Sequence, residues 1–160
     1  MSKDHGFSLV ELMVVVAIIS VLAMMAVPAF KRVQRRAKST VVANDFRVFS
    51  QAFEQYAHEN GTWPPEAVAG QMPPGMLNRL NMTTWTRMTP IGGKYNWEYN
   101  QVHYGVRYTA AITISAAAGA PLPLDVAQMT DLDHLMDDGD LMNGNFRLGA
   151  GQVPLWVITR

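Results

Sequence analysis

The chain has no cysteine. That excludes disulfides, thiolate metal sites and a cysteine nucleophile. It also lacks a field of one sign: Lys and Arg number 13, Asp and Glu 13, and the net charge is zero. No whole-molecule potential draws it to nucleic acid. Enzyme signatures are missing too. His5, His58, His103 and His134 are scattered without ligand spacing, and no HExxH, GxSxG or phosphate loop occurs. Charge is scarcest at the start. From Phe7 to Val27 only Glu11 is charged.

That apolar block is the dominant feature. At a rise of about 1.5 Å per residue, a helix over it spans roughly 30 Å, the hydrocarbon thickness of a bilayer. A standard secretory signal has a shorter apolar region with a small-residue cleavage site behind it. Here the apolar region is too long and no such site follows. The conspicuous bond is Gly6-Phe7, in front of the block, so processing there leaves the anchor in place. Glu11 is costly at membrane depth. Hydration near the interface explains it, and so does pairing with a cation of another subunit. The amine created by cutting Gly6-Phe7 is such a cation.

Pro28 predicts a helix break, as a kink or local unwinding. The helical pattern then resumes, with Val33, Ala37, Val41, Val42, Phe46, Phe49, Phe53 and Tyr56 on one stripe. Asn60-Gly61 and Trp63-Pro64-Pro65 stop it. The simplest account is one helix of about 50 residues, roughly 75–80 Å long. Its first half is apolar all round and its second half is amphipathic. Lys31, Arg32, Arg35, Arg36 and Lys38 mark the change.

Proline and methionine dominate 62–90, with one short helix expected over Gly75–Leu80. Lys94–Tyr99 alternates as a strand, Asn100-Gln101 forms a turn, and Val102–Ser115 is a second, longer strand. Residues 121–139 read as a helix with Val126, Met129, Leu132 and Met136 on one face and Gly139 as its stop. Asn143-Gly144 is a turn, and Val153–Thr159 a last strand. The expected fold is α+β: a long N-terminal helix, transmembrane in its first half, packed on a small antiparallel sheet of three or four strands. Its stripe is expected to meet Tyr95, Trp97, Tyr99 and Tyr108. The divisions are 1–6 (leader), 7–30 (transmembrane half), 31–61 (amphipathic half) and 62–160 (globular α+β domain).

The run Gly6-Phe7-Ser8-Leu9-Val10-Glu11-Leu12-Met13-Val14-Val15-Val16-Ala17-Ile18-Ile19, with Pro28 beyond it, closely resembles the N-terminus of the type IV pilin and type II secretion pseudopilin superfamily. The resemblance extends from residue 3 to about 60. It implies that a prepilin peptidase cuts Gly6-Phe7 on the cytoplasmic side and methylates the new amine of Phe7. It implies that Glu11 guides assembly into a helical filament. Expected partners are further copies and related pilin subunits, the peptidase, an inner-membrane assembly platform and the membrane. The expected location is the bacterial inner membrane, single-pass, with the C-terminal domain periplasmic or extracellular. The positive-inside rule alone would place 31–38 in the cytoplasm, because the leader offers only Lys3 beside Asp4. The processing motif, which needs a cytoplasmic leader, takes precedence. Pro90-Ile91-Gly92-Gly93-Lys94-Tyr95-Asn96-Trp97 is similar, more weakly, to the entry into the first strand of pseudopilin sheets.

The basic cluster reads as a helix face meeting lipid headgroups. Contact with nucleic acid phosphates is the lesser reading, since no stacking aromatics are interleaved. The acidic stretch from Asp131 to Asp140 reads mainly as helix-end and turn carboxylates. No cofactor is required by the sequence. Calcium is the one candidate, with Asp137, Asp138 and Asp140 as ligands, although the spacing is not that of an EF-hand. Major type II pseudopilins carry a C-terminal calcium loop, and its pattern does not align securely here. The alternative to a filament subunit is a membrane-tethered periplasmic or surface binding module that never polymerises. Type II secretion, type IV pilus and DNA uptake are not separated by the sequence; neither are major and minor subunits.

Overall fold

The computed structural model describes residues 8–160. Gly6 and Phe7, where processing is expected, lie outside the described residues. The chain divides into two compact units, Met1–Arg35 and Arg36–Arg160. One helix, α1 (Leu9–Asn60), contributes to both. It contains Pro28 in its interior and remains helical on either side.

The second unit is a four-stranded antiparallel sheet with α1 packed on one face. Its strands are β1 (Lys94–His103), β2 (Val106–Ser115), β3 (Phe146–Leu148) and β4 (Pro154–Thr159), in the order β1-β2-β4-β3. The α+β arrangement matches the expectation. Burial on α1 begins at Ser39 and runs through Val42, Ala43, Asp45, Phe46, Phe49, Ser50 and Phe53. The expected stripe was too long at its start. Val33 is 67% exposed and Ala37 is also exposed, because cover by the unit's core begins at Ser39; Val41, also expected on the stripe, is exposed at 42% beside the buried Val42.

Aromatic packing joins helix to sheet. Phe53 stacks on Trp97 with ring centres 3.8 Å apart and planes 8° from parallel. Phe46 and Phe49 meet Tyr95 edge to face at 5.9 and 4.9 Å. Burying such rings stabilises through area removed from water and through edge geometry. Trp97 Nε1 donates to Pro64 O at 2.9 Å, and Trp85 Nε1 to Gln71 O at 2.7 Å. The proline-rich segment is therefore pinned by indoles that would otherwise be buried with an idle donor. Trp156 Nε1 donates to Ser50 Oγ at 2.9 Å, tying β4 to α1.

Five local expectations change. The hairpin turn is Tyr104-Gly105, not Asn100-Gln101. Tyr104 (φ 49°) and Gly105 (φ 80°) form a two-residue loop with both φ positive, the geometry that matches strand twist. Asn100 does take positive φ (60°), but pairing continues on both sides of it, at Tyr99↔Ala110 and Gln101↔Tyr108. Tyr108 consequently packs with Ala111, Leu155 and Val157 in a separate small cluster, not against the α1 stripe. No helix forms over 75–80. The short helix is α2 (Met82–Thr86), because Asn81 caps it by accepting from Thr84 N at 3.0 Å, while Gly75 (φ 81°) is not helical. The helix expected over 121–139 is shorter, α3 (Val126–Met136). Asp125 caps it, and Val126 is exposed while Met129 and Leu132 are buried. β3 was not anticipated; three residues are too few for an alternating signal.

Tyr95 donates to Asp45 Oδ2 at 2.8 Å, and Arg87 donates to the same oxygen at 3.1 Å. Burial, with the Asp45 charge beside it, pushes the Tyr95 hydroxyl above the usual phenol range. Folding thus gains from a neutral Tyr95 below about pH 10 and loses that gain as pH rises further. Tyr95→Phe should cost about 1–3 kcal/mol at neutral pH. It should also flatten the alkaline fall in stability, measured by denaturant unfolding between neutral pH and strong alkali.

Candidate functional site

The candidate site begins where α1 begins. Ser8 precedes the helix, and its Oγ accepts from Glu11 N at 3.2 Å. Leu12 N closes the first turn on Ser8 O at 3.2 Å. This is the N-cap role, with a glutamate at the third helical position. The Ser8-Leu9-Val10-Glu11 spacing is a capping-box signature that was legible in the sequence but missed in reading it. Glu11 therefore sits in the first helical turn, where the helix dipole favours a negative charge. A local structural role accompanies the assembly role expected for it.

Every described side chain from residue 8 to residue 34 is exposed. The apolar ones include Leu9 at 74%, Val16 at 61%, Leu22 at 61% and Met25 at 75%. Spacing along a helix puts these on different faces. An 18-residue stretch of α1 reaches a mean hydropathy of 2.7 with none of it buried. By length and composition it can cross a membrane.

The comparisons with known proteins fall on this segment. The prokaryotic N-terminal methylation motif matches residues 1–27. That motif and the relatives that share the segment support a likeness to the pilin and pseudopilin superfamily. It is 39% identical over 61 residues to prepilin peptidase-dependent protein D of Escherichia coli K12, covering 38% of this chain and 42% of that protein. It is 37% identical over 62 residues to type II secretion system core protein G of Pseudomonas aeruginosa, covering 39% and 44%. It is 36% identical over 66 residues to fimbrial protein EcpC of Eikenella corrodens, covering 41% and 43%. The similarity thus spans less than half the length of each relative. The residues that match the methylation motif lie in the same apolar stretch that is long enough to cross a membrane.

A second group of functional side chains lies at the end of α3. One carboxylate oxygen from each of Asp133, Asp137 and Asp138 lies within 4.8 Å of the others. Asp137 and Asp138 were among the residues singled out for calcium. Asp140 lies outside this group. Its Oδ1 accepts from Met142 N at 3.0 Å and its Oδ2 from Asn143 Nδ2 at 2.6 Å. Those bonds, the Asn143 one foremost, hold its carboxyl below the usual range. Asp133 was missed as a ligand candidate. Its signal was the separation of four residues from Asp137, which places two side chains on one helix face.

A third polar group lies in the sheet. Glu98 and His103 are five apart, so regular alternation would put them on opposite faces. They nevertheless hydrogen-bond through Glu98 Oε2 and His103 Nε2, because the positive φ of Asn100 changes the phase of the strand between them. Thr113 Oγ1 donates to Glu98 Oε1 at 3.0 Å, and Ala150 N donates to His103 Nδ1 at 2.9 Å. Since Nδ1 accepts, the ring proton sits on Nε2 and is donated to Glu98. The dyad ties the 149–153 segment to β1. Replacing His103 by Leu leaves Glu98 and the Ala150 amide short of a partner. The expected cost is about 1–3 kcal/mol, with faster amide exchange at Ala150 measured by NMR in detergent micelles.

Proposed function

We propose that the chain is a structural subunit of a pilus-like or pseudopilus filament, cut at Gly6-Phe7, methylated on Phe7 and assembled through α1. The observation that carries this reading is an apolar helix exposed on all faces, bearing Glu11 as the one charge between Phe7 and Val27, directly behind the processing motif. In a bilayer, lipid covers such a helix. In a filament, the same helix from other copies covers it. Neither solvent tolerates an unpaired carboxylate well. The amine released at Phe7 supplies a cation at the end of a neighbouring helix. Cleavage and assembly then become one electrostatic event: the cut creates the partner that Glu11 needs.

Pro28 gives the helix a weak hydrogen-bonding point at which to bend or unwind during transfer. In this reading the leader is cytoplasmic, the span is crossed once, and the unit Arg36–Arg160 faces the periplasm or the exterior. The similarity of the N-terminal third to a fimbrial protein and to a type II secretion core protein supports a filament over a solitary anchor. Partners are other copies, related subunits, the prepilin peptidase and an inner-membrane platform.

Glu11→Ala is the discriminating variant. The altered protein is expected in the membrane, processed as efficiently as the parent, and at least about tenfold depleted from sheared or extracted filaments, a loss equivalent to about 1.4 kcal/mol. Immunoblots of the membrane and filament fractions read this out. Undiminished incorporation of Glu11→Ala would contradict the proposal and favour a tethered module that works alone.

A further inference from the structure

His103 is buried, at 8% exposure, and both of its ring nitrogens are in use. Nε2 gives its proton to Glu98, and Nδ1 accepts from the Ala150 amide at 2.9 Å. That second bond exists only while the ring is neutral, because an imidazolium carries a hydrogen on each nitrogen. A second proton would set Nδ1–H against Ala150 N–H, donor against donor. The carboxylate of Glu98 is already occupied. It accepts from Asn96 Nδ2 at 3.2 Å, from Thr113 Oγ1 at 3.0 Å and from the ring.

The segment held by this bond is a short strap, 149–153, between β3 and β4. It is wound on itself: Gly149 N donates to Val153 O at 2.8 Å and Gln152 N to Gly149 O at 2.9 Å. Its backbone is strained, since Gln152 takes φ 59° beside Gly151 at 75°. Gly149 lets the ring come close, because a Cβ there would stand 2.7 Å from His103 Nδ1. The charged and titratable groups around the ring come from three strands. β1 brings Glu98. β2 brings Tyr108, with its ring centre 6.0 Å from that of His103, while Arg107 on the same strand donates instead to Asn100 O at 2.8 Å. β3 brings Arg147, whose guanidinium lies over the Tyr108 ring at 5.8 Å. The strap itself carries no ionisable side chain. An imidazolium would be steadied by Glu98 on the Nε2 side. The side that has to yield is the strap.

We propose that His103 is an acid-operated latch: it holds the 149–153 strap closed while its ring is neutral and releases the strap when the ring takes a second proton. The sign follows from the bonds. The closed strap demands an unprotonated Nδ1 and the open strap does not, so opening takes up one proton. The closed state is favoured at higher pH and the open state as pH falls, by about tenfold in the opening equilibrium per pH unit within the transition. Opening detaches the connection between β3 and β4 from the end of the β1–β2 hairpin and relaxes the backbone at Gln152. The latch lies within Arg36–Arg160 and works whether or not the chain polymerises.

The test uses the full isotope-labelled chain in detergent micelles, from about pH 8 to about pH 5, the window in which histidine side chains change charge. Amide exchange is measured by NMR and expressed as protection relative to an unstructured chain, which removes the intrinsic pH dependence of exchange. The ring carbons of His103 report its charge in the same samples. In the parent, protection of the Ala150 amide is expected to fall by up to about tenfold per pH unit as His103 becomes charged, while Ile112 in the central strand keeps its protection. His103→Gln supplies a donor and an acceptor without a change of charge, and Ala150 protection should then be flat with pH. Glu98→Gln keeps an acceptor for Nε2 and removes the charge that steadies the imidazolium, so Ala150 protection should be lost at lower pH than in the parent. Constant Ala150 protection across the range in the parent would overturn the proposal. A fall shared by Ile112 would overturn it too, since that is general unfolding. So would a parent-like pH dependence in His103→Gln, or an unmoved transition in Glu98→Gln.

Discussion

The structure depends on one constraint: the side chains from Leu9 to Phe30 have no protein cover. Apolar surface of that extent on every face of a helix is not compatible with water. Its environment must be lipid or other helices of the same kind. This sets what the rest of the first unit can be. A capped start, through Ser8, leaves fewer bare amides at the N-terminus of α1. A single carboxylate in the first turn is then the only charged group between Phe7 and Val27. The hydroxyls of Ser8 and Ser20 are used within the helix itself, and the remaining side chains are apolar and pack without strong directional preference. Glu11 is the one feature able to define how far one helix sits along another.

The second unit answers a different constraint. The same helix, from Ser39 onward, has one buried face, and the sheet supplies rings to meet it. Phe46, Phe49 and Phe53 against Tyr95, Trp85 and Trp97 form an aromatic core with few aliphatic contacts from the helix side. Polar atoms carried in with those rings are matched: Tyr95 by Asp45, Trp97 by Pro64 and Trp85 by Gln71.

Legibility in the sequence followed the physics of each signal. The apolar span, the Phe46-Phe49-Phe53 stripe and the Tyr95-Trp97 alternation were readable because each repeats over many residues. The extent of the stripe was not, because Val33 and Ala37 have the right spacing and lack only a neighbour to cover them. The hairpin turn was misplaced because Asn100 is a better turn residue than Tyr104. Here pairing across Gln101↔Tyr108 outweighed local preference. The phase change at Asn100, which brings Glu98 to His103, leaves no trace in an alternating pattern. Asp133 looked like one more polar helix residue until its burial was known. The N-terminal motif was legible outright, since Gly6, Phe7 and Glu11 form a spacing that composition does not generate by chance.

The central claim is that Gly6-Phe7 is cut so that the new Phe7 amine can meet Glu11. Intact-mass and N-terminal peptide mass spectrometry on the protein from its native cell tests it most directly. The expected result is a chain that begins at Phe7 and carries one additional methyl group on its amine. A mature chain that still begins at Met1, with no methyl on Phe7, would contradict the account.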